Sequence, residues 1–131
     1  MLCFKRKHKS KEDVDPYVGS DDVKGLNRYK FNSYVNSKDL ALVMFYHPIL
    51  DCKPVANKFK KAAHSTHRRG LVFAAVNCEE EQDLCCREDV RCMPYFKLYS
   101  KGKSIGDVDD PHKLSARAIQ QWVETITVYE D

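Results

Sequence analysis

The chain has 131 residues, the length of one ordinary domain, and hydrophobic residues make up 43% of it, enough to form a core. The net charge of +3 does not indicate a nucleic-acid-binding protein. No stretch approaches the roughly 20 apolar residues of a membrane-spanning helix, and no hydrophobic segment of signal-peptide length is visible near Met1.

The amino-terminal 20 residues are polar and charged, without hydrophobic periodicity. They are typical of a flexible arm. The arm includes a basic run at residues 5–11, for which we favour a solvated tail over a contact with phosphates or a membrane surface. We therefore expect the folded domain at residues 21–126 and a short carboxyl-terminal tail at residues 127–131.

The first elements alternate between strand and helix. A weak strand over residues 22–26 precedes a helix over residues 28–36, which Asn27 is expected to cap. Residues 40–46 are continuously apolar, as in a strand that is buried on both faces. This alternation favours a parallel sheet with helical crossovers.

A long helix is predicted over residues 48–66, because apolar residues recur there at spacings of three and four. Pro54 should kink this helix or mark a break near Cys52. A second buried strand follows at residues 71–76, and a short helix at residues 79–87 with acidic residues in its first turn.

The remaining elements predict a hairpin and a closing helix. Residues 95–99 and 104–108 form the two strands around a glycine-bearing turn. Ser115 caps the last helix, whose apolar stripe includes Trp122. Together the elements predict an α/β fold in which a central mixed sheet of about five strands is flanked by helices on both faces.

Three segments carry a resemblance to a known family. Residues 44–48, Met-Phe-Tyr-His-Pro, resemble the Phe-Tyr-Ala-Pro that precedes Trp-Cys-x-x-Cys-Lys in protein disulfide isomerases. Cys52, Lys53 and Phe59 match the second active-site cysteine, the following lysine and a helix phenylalanine of that family. Residues 90–97 are similar to its Val-x-Gly-Tyr-Pro-Thr loop, in which the proline is cis. Over residues 21–126 the chain thus resembles a thioredoxin domain of the protein disulfide isomerase-related proteins, which implies the thioredoxin fold.

The departures from the family pattern concern the active site. The spacing from Tyr46 to Cys52 is one residue shorter than in the family, and Ile49 stands where the attacking cysteine should be. Met44 replaces a buried acidic residue of the preceding strand. Cys52 matches the resolving cysteine, which cannot shuttle two electrons without an attacker. Cys52 is the only catalytic candidate, and it has two interpretations. It is either an inert inherited thiol or a weak monothiol that could form a rearranged redox couple with Cys92.

A peptide-binding groove is the alternative use of this junction. In the thioredoxin fold the cis-proline loop leaves backbone groups open to an extended peptide, a form of strand addition. The residues expected to flank such a groove are Ile49, Leu50, Met93, Pro94 and Tyr95. The opposing interpretations are that the loop is retained only for folding, and that the two apolar residues only fill the space of the lost tryptophan.

The cysteines bear on the compartment. The separation of Cys78 and Cys85 suits a local disulfide, and the resemblance supports that pairing; the alternative is two reduced buried thiols. Cys3 and Cys86 are expected to carry thiols outside disulfides. The resemblance implies the endoplasmic reticulum lumen or secretory pathway, whereas a complete chain without a signal peptide would be cytoplasmic.

Three functional hypotheses follow. The leading one is a redox-inactive binding or scaffold domain for unfolded polypeptide or a protein partner, with no cofactor and no metal, since the histidines do not complete a zinc-binding pattern. The second is a weak thiol oxidoreductase that uses Cys52. The third is a spacer domain within a longer multi-domain protein.

Overall fold

The structure is a computed structural model, and it describes residues 21–48 and 52–128. The predicted arm at residues 1–20 and residues 129–131 of the predicted tail lie outside these ranges. The strands and helices in chain order are β1 (Val23–Leu26), α1 (Phe31–Asn36), β2 (Leu40–Tyr46), α2 (Lys53–Ser65), β3 (Leu71–Asn77), α3 (Gln82–Arg87), β4 (Tyr95–Ser100), β5 (Lys103–Val108) and α4 (Ala116–Thr125).

The five strands form one mixed sheet in the order β1-β3-β2-β4-β5. Strands β1 and β2 both pair in parallel with β3, whereas β4 runs antiparallel to β2 and β5 antiparallel to β4. This is the thioredoxin fold that the sequence predicted, with the hairpin at one side of the sheet.

Strand β2 lies at the centre of the molecule, and all seven of its residues are buried. One hydrophobic cluster fills the layer between the sheet and the helices α2 and α4, and a second fills the layer towards α1 and α3. In the first layer the buried ring of Phe59 packs between Phe73 and Phe96, with both centroid distances at 5.2 Å. These layers fix the end of β2, where the candidate site lies.

Helix α2 begins later than the sequence predicted. It starts at Lys53 rather than at residue 48, and Pro54 therefore lies in its first turn instead of its interior. Proline fits there because the first N–H groups of a helix have no intrahelical partner. The sequence predicted either a kink at Pro54 or a break near Cys52. The structure shows the second of these, because the helix boundary lies at Cys52.

Helix α1 is also shorter than predicted. It begins at Phe31, and the Asn27 side chain instead accepts hydrogen bonds from the backbone N–H groups of Tyr29 and Lys30, both at 3.0 Å, in the preceding turn. The predicted cap of the last helix is present, since Ser115 Oγ accepts a hydrogen bond from the N–H of Ala118 at 3.0 Å.

Candidate functional site

The candidate site lies where the carboxyl end of β2 meets the loop before β4. Tyr46, the last residue of β2, pairs with Asn77 at the end of β3. On the other side Tyr95, the first residue of β4, lies opposite Phe45. Pro94 directly precedes Tyr95, and the Met93–Pro94 peptide bond is cis, the conformation that the resemblance implies. The pairing register therefore brings this loop to the end of β2.

Cys52 lies at the base of the site, at the amino terminus of α2. Its carbonyl oxygen accepts the first helical hydrogen bond from the N–H of Ala56 at 2.8 Å. The side chain belongs to the hydrophobic cluster beneath α2 and is not in a disulfide; the residue is only 3% exposed. Because disulfide exchange needs an accessible thiolate, a reagent reaches Cys52 only after the protein opens locally.

Cys92, the other cysteine of the thiol hypothesis, has a different environment. It is exposed, is not in a disulfide, and its thiol lies 3.7 Å from the carbonyl oxygen of Asp109 as a weak donor. The Cys52–Cys92 couple that the sequence left open is therefore not formed in this structure.

The loop presents two partly exposed side chains on either side of a buried proline. Met93 and Tyr95 are half-buried and pack against the hydrophobic cluster on the α1 and α3 side, while Pro94 is buried. The Tyr95 hydroxyl donates a hydrogen bond to Oδ2 of Asp107 at 2.6 Å. Burial and, second, this hydrogen bond raise the pKa of Tyr95 above its ordinary value, so the phenol stays neutral and donating.

Ile49 and Leu50, the other residues of the predicted groove, lie outside the described residues. Their role as an apolar cap therefore stays a prediction. The structure brings Met93, Pro94 and Tyr95 together at the end of β2, as the sequence predicted, and it places Cys52 beneath the same junction.

A disulfide holds the loop after β3 beside the site. Cys78 and Cys85 are bonded, with their Cα atoms 5.8 Å apart, so the pairing that the sequence favoured is present. The backbone N–H of Cys78 donates to the carbonyl of Tyr46 at 2.7 Å. The bond therefore links α3 to the chain segment that borders the end of β2.

A buried pair at this border was not predicted from the sequence. His47 Nε2 lies 3.7 Å from Oε2 of Glu79, and both side chains are buried. The feature that could have revealed this pair is the parallel pairing of β2 with β3, because it places the residues that follow Tyr46 beside those that follow Asn77.

Cys86, the neighbour of Cys85, is disulfide-bonded as well. The expectation that it carries a thiol is therefore wrong. The physical reason is that consecutive residues point about 100° apart around a helix, so Cys85 faces the interior and Cys78 while the less buried Cys86 is directed elsewhere. Cys3, which was expected to carry a thiol, lies outside the described residues.

Within residues 21–48 and 52–128, no group of three or more histidine, cysteine or acidic side chains is arranged to hold a metal ion. None of the helices in the same ranges has the length and apolar character needed to cross a bilayer.

Comparisons with known proteins agree with this geometry. The family model for thioredoxin matches residues 22–125. The chain is 31% identical over 94 residues to protein disulfide-isomerase of Saccharomyces cerevisiae and 36% identical over 91 residues to protein disulfide-isomerase A4 of Rattus norvegicus. The matches cover 71% and 67% of this chain but only 18% and 14% of those proteins. The zinc-bound form of human ERp44 superposes with a TM-score of 0.69 at 21% identity, over 78% of this chain and 30% of that one.

The chain belongs to the thioredoxin family. The curated relatives described above are protein disulfide isomerases. The chain spans less than a fifth of the length of these two relatives.

Proposed function

We propose that this domain binds extended polypeptide at the end of β2 without catalysing dithiol exchange. The observation that carries the proposal is the burial of Cys52 at the resolving position, with Ile49 at the attacking position in the sequence. Cys52, a residue that is 3% exposed, offers no accessible nucleophile to a substrate disulfide, because exchange requires direct sulfur–sulfur approach.

The binding part of the proposal rests on the loop around Pro94. An extended peptide that lies along this loop gains backbone hydrogen bonds, and alternate side chains gain apolar contacts. Met93 and Tyr95 are half-buried, so each still offers apolar surface to a ligand. The hydrogen bond between the Tyr95 hydroxyl and Asp107 holds that ring in one orientation, which reduces the entropy lost on binding.

The redox part is tested by reduction of insulin disulfides with dithiothreitol. We expect the domain to give little acceleration over the blank, and Cys52→Ser to behave like the wild type. Turnover comparable to that of an intact Cys-x-x-Cys thioredoxin domain, lost in Cys52→Ser, would contradict the proposal.

The binding part is tested by fluorescence anisotropy with a labelled, reduced and alkylated unfolded protein, which contains no reactive sulfur. Met93→Glu removes one apolar contact from the groove, and burial of a methionine side chain is worth about 1.5–3 kcal/mol. Because Met93 is already half-buried, we expect the lower end of that range and a Kd about tenfold higher. The matched control is Ile105→Glu, which makes the same kind of change at a 39% exposed residue on β5. Equal effects of the two variants would place binding elsewhere.

The second candidate function is a weak thiol oxidoreductase, and the observation that favours it is the exposed Cys92 thiol two residues from Pro94. In this case Cys92 would form the mixed disulfide with a substrate, and Cys52 would resolve it after a local opening. Loss of activity in both Cys92→Ser and Cys52→Ser would support this candidate. Activity that is unchanged in either variant would reject the couple.

We further propose that the domain works in the secretory pathway, as a part or relative of a multi-domain protein. The Cys78–Cys85 disulfide supports an oxidising compartment, and the small share of the curated relatives that the chain spans supports a multi-domain setting. Localisation of a tagged full-length protein tests the first statement, and a reducing cytosolic location would reject it.

A further inference from the structure

Helix α2 and the loop that follows it form a strongly basic segment. Residues 53–70 include six lysine or arginine residues and neither aspartate nor glutamate. The whole chain has 22 lysine and arginine residues against 19 aspartate and glutamate residues, so the rest of the chain has 16 cations against 19 anions. The net charge of +3 therefore results from a basic helix on an otherwise slightly acidic chain.

Three lysines of α2 form one surface, which we call the lysine face: Lys53, Lys58 and Lys61. Successive residues are rotated by about 100° around a helix, so Lys61 lies about 80° from Lys53 and about 60° from Lys58. Lys53 and Lys61 are exposed, and Lys58 is half-buried. The opposite side of the helix, which includes Phe59, is buried in the core. The three lysines thus lie on the solvent side of α2.

Neighbouring carboxylates do not neutralise the lysine face. Within the described part of the chain, no ion pair includes one of its three lysines. Lys58 Nζ donates to a backbone carbonyl at 3.0 Å, which is a neutral partner. The carboxylate of α4, on Glu124, accepts a hydrogen bond from the N–H of His67 at 2.9 Å. Asp22 pairs with His64 at 3.1 Å. The charges of the lysine face are therefore available to a partner.

The spacing of these lysines costs the helix stability. Lys58 and Lys61 are three residues apart, and like charges at that spacing lie side by side and repel. A solvated helix face ordinarily places glutamate or aspartate at such positions, which gives attraction instead. An anionic partner would relieve the repulsion and add attraction.

We propose that the lysine face docks an acidic, extended polypeptide segment. Other polyanions fit it less well. A helix that binds a lipid surface buries its apolar side in the membrane, whereas the apolar side of α2 is buried in the protein. Among the described residues the exposed large hydrophobic side chains are those of Tyr29 and Ile105, which lie on other elements. Single-stranded nucleic acid stacks on aromatic side chains, and Phe59, the aromatic residue of α2, is buried.

The dimensions of the lysine face match an extended chain. From Lys53, Lys58 lies about 7.5 Å and Lys61 about 12 Å further along the helix axis. Alternate residues of an extended chain lie on the same side, about 6.6 Å apart. Three carboxylates at alternate positions therefore place one negative charge near each lysine. This docking does not require the groove proposed around Pro94.

The test is fluorescence anisotropy of the full chain with a labelled peptide of about eight residues that has glutamate at alternate positions. Lys53→Glu/Lys61→Glu should raise the Kd about tenfold, because each reversal replaces an attraction by a repulsion. Glutamate in the first turn suits the helix dipole, and circular dichroism checks that the variant is folded. The matched control Lys30→Glu/Lys103→Glu reverses two exposed charges outside α2 and should change the Kd by less than about twofold.

A charge swap tests whether the contact is direct. The same peptide with lysine in place of glutamate should bind Lys53→Glu/Lys61→Glu more tightly than it binds the wild type. Met93→Gln changes the groove without a change of charge and should leave the Kd of the glutamate peptide within about twofold, so a failure of the groove proposal would be seen separately.

Failure of the wild-type protein to bind the glutamate peptide at low salt, with or without binding to phosphatidylserine vesicles, would overturn the proposal. Equal changes of Kd in the two double variants would also overturn it, since they would show a response to net charge rather than to the lysine face.

Discussion

The reactivity of Cys52 gives the sharpest prediction, because the wild-type protein contains its own reference thiol. Cys52 is 3% exposed, and Cys92 is exposed. A buried thiol is alkylated only through an open state, so its rate falls by the equilibrium constant for opening. If opening requires about 5 kcal/mol, the lower end of ordinary domain stability, Cys52 reacts roughly 10³- to 10⁴-fold more slowly than Cys92.

The assay is a time course of iodoacetamide labelling followed by tryptic mass spectrometry. The two thiols fall in separate peptides, residues 39–58 and residues 92–97, because trypsin does not cleave between Lys53 and Pro54. Both rates therefore come from one sample. In denaturing urea the two rates should converge, which controls for intrinsic differences between the thiols.

Labelling of Cys52 within about tenfold of Cys92 in native buffer would refute the reasoning, since it corresponds to an opening free energy of only about 1.4 kcal/mol. In that case the end of β2 would be open in the native state. The thiol oxidoreductase would then replace the binding domain as the leading proposal.

Three further predictions concern stability. Phe59→Ala should lower the free energy of unfolding by about 3–5 kcal/mol in urea, because it leaves a cavity between two aromatic rings; a loss below about 1 kcal/mol would mean that this layer is not close-packed. Tyr99→Phe should cost about 2 kcal/mol at pH 8, since the buried hydroxyl donates to the Glu88 carboxylate. Burial and, second, this hydrogen bond raise the pKa of Tyr99 above its unfolded value of about 10. The stability that the hydroxyl contributes is therefore complete below about pH 10 and is lost as the pH rises further. Equal profiles of unfolding free energy against pH for wild type and variant would contradict this. Replacement of Cys78 and Cys85 by alanine should cost about 2.5 kcal/mol by the loop-entropy model, and an unchanged urea midpoint would show that the bond adds no stability.

The fold was predictable because its central strand is unambiguous. A run of seven apolar residues can only be buried, and the structure places β2 at the predicted bounds of Leu40–Tyr46. The start of α2 was not predictable to the same degree. Both Pro48 and Pro54 are acceptable near a helix start, and only the tertiary structure shows that the helix begins at Lys53, five residues after the predicted start.

The site was predictable only where the chain resembles its family. The resemblance located Pro94 and the pairing of Cys78 with Cys85, both present in the structure. The contact between His47 and Glu79 was not predicted, because it joins residues about 30 positions apart and depends on the register between two parallel strands. Periodicity within one element carries no information about such a register.

The order of strands in the sheet has a consequence for synthesis of the protein. The partners of β2 in β4 lie roughly 50 residues further along the chain. At typical translation rates of about 5–20 residues per second, the most apolar strand leaves the ribosome roughly 3–10 s before its second neighbour exists. Throughout that interval one edge of β2 has no partner, and nascent chains of this protein should therefore depend on chaperones at the stage when only β1, β2 and β3 have been made.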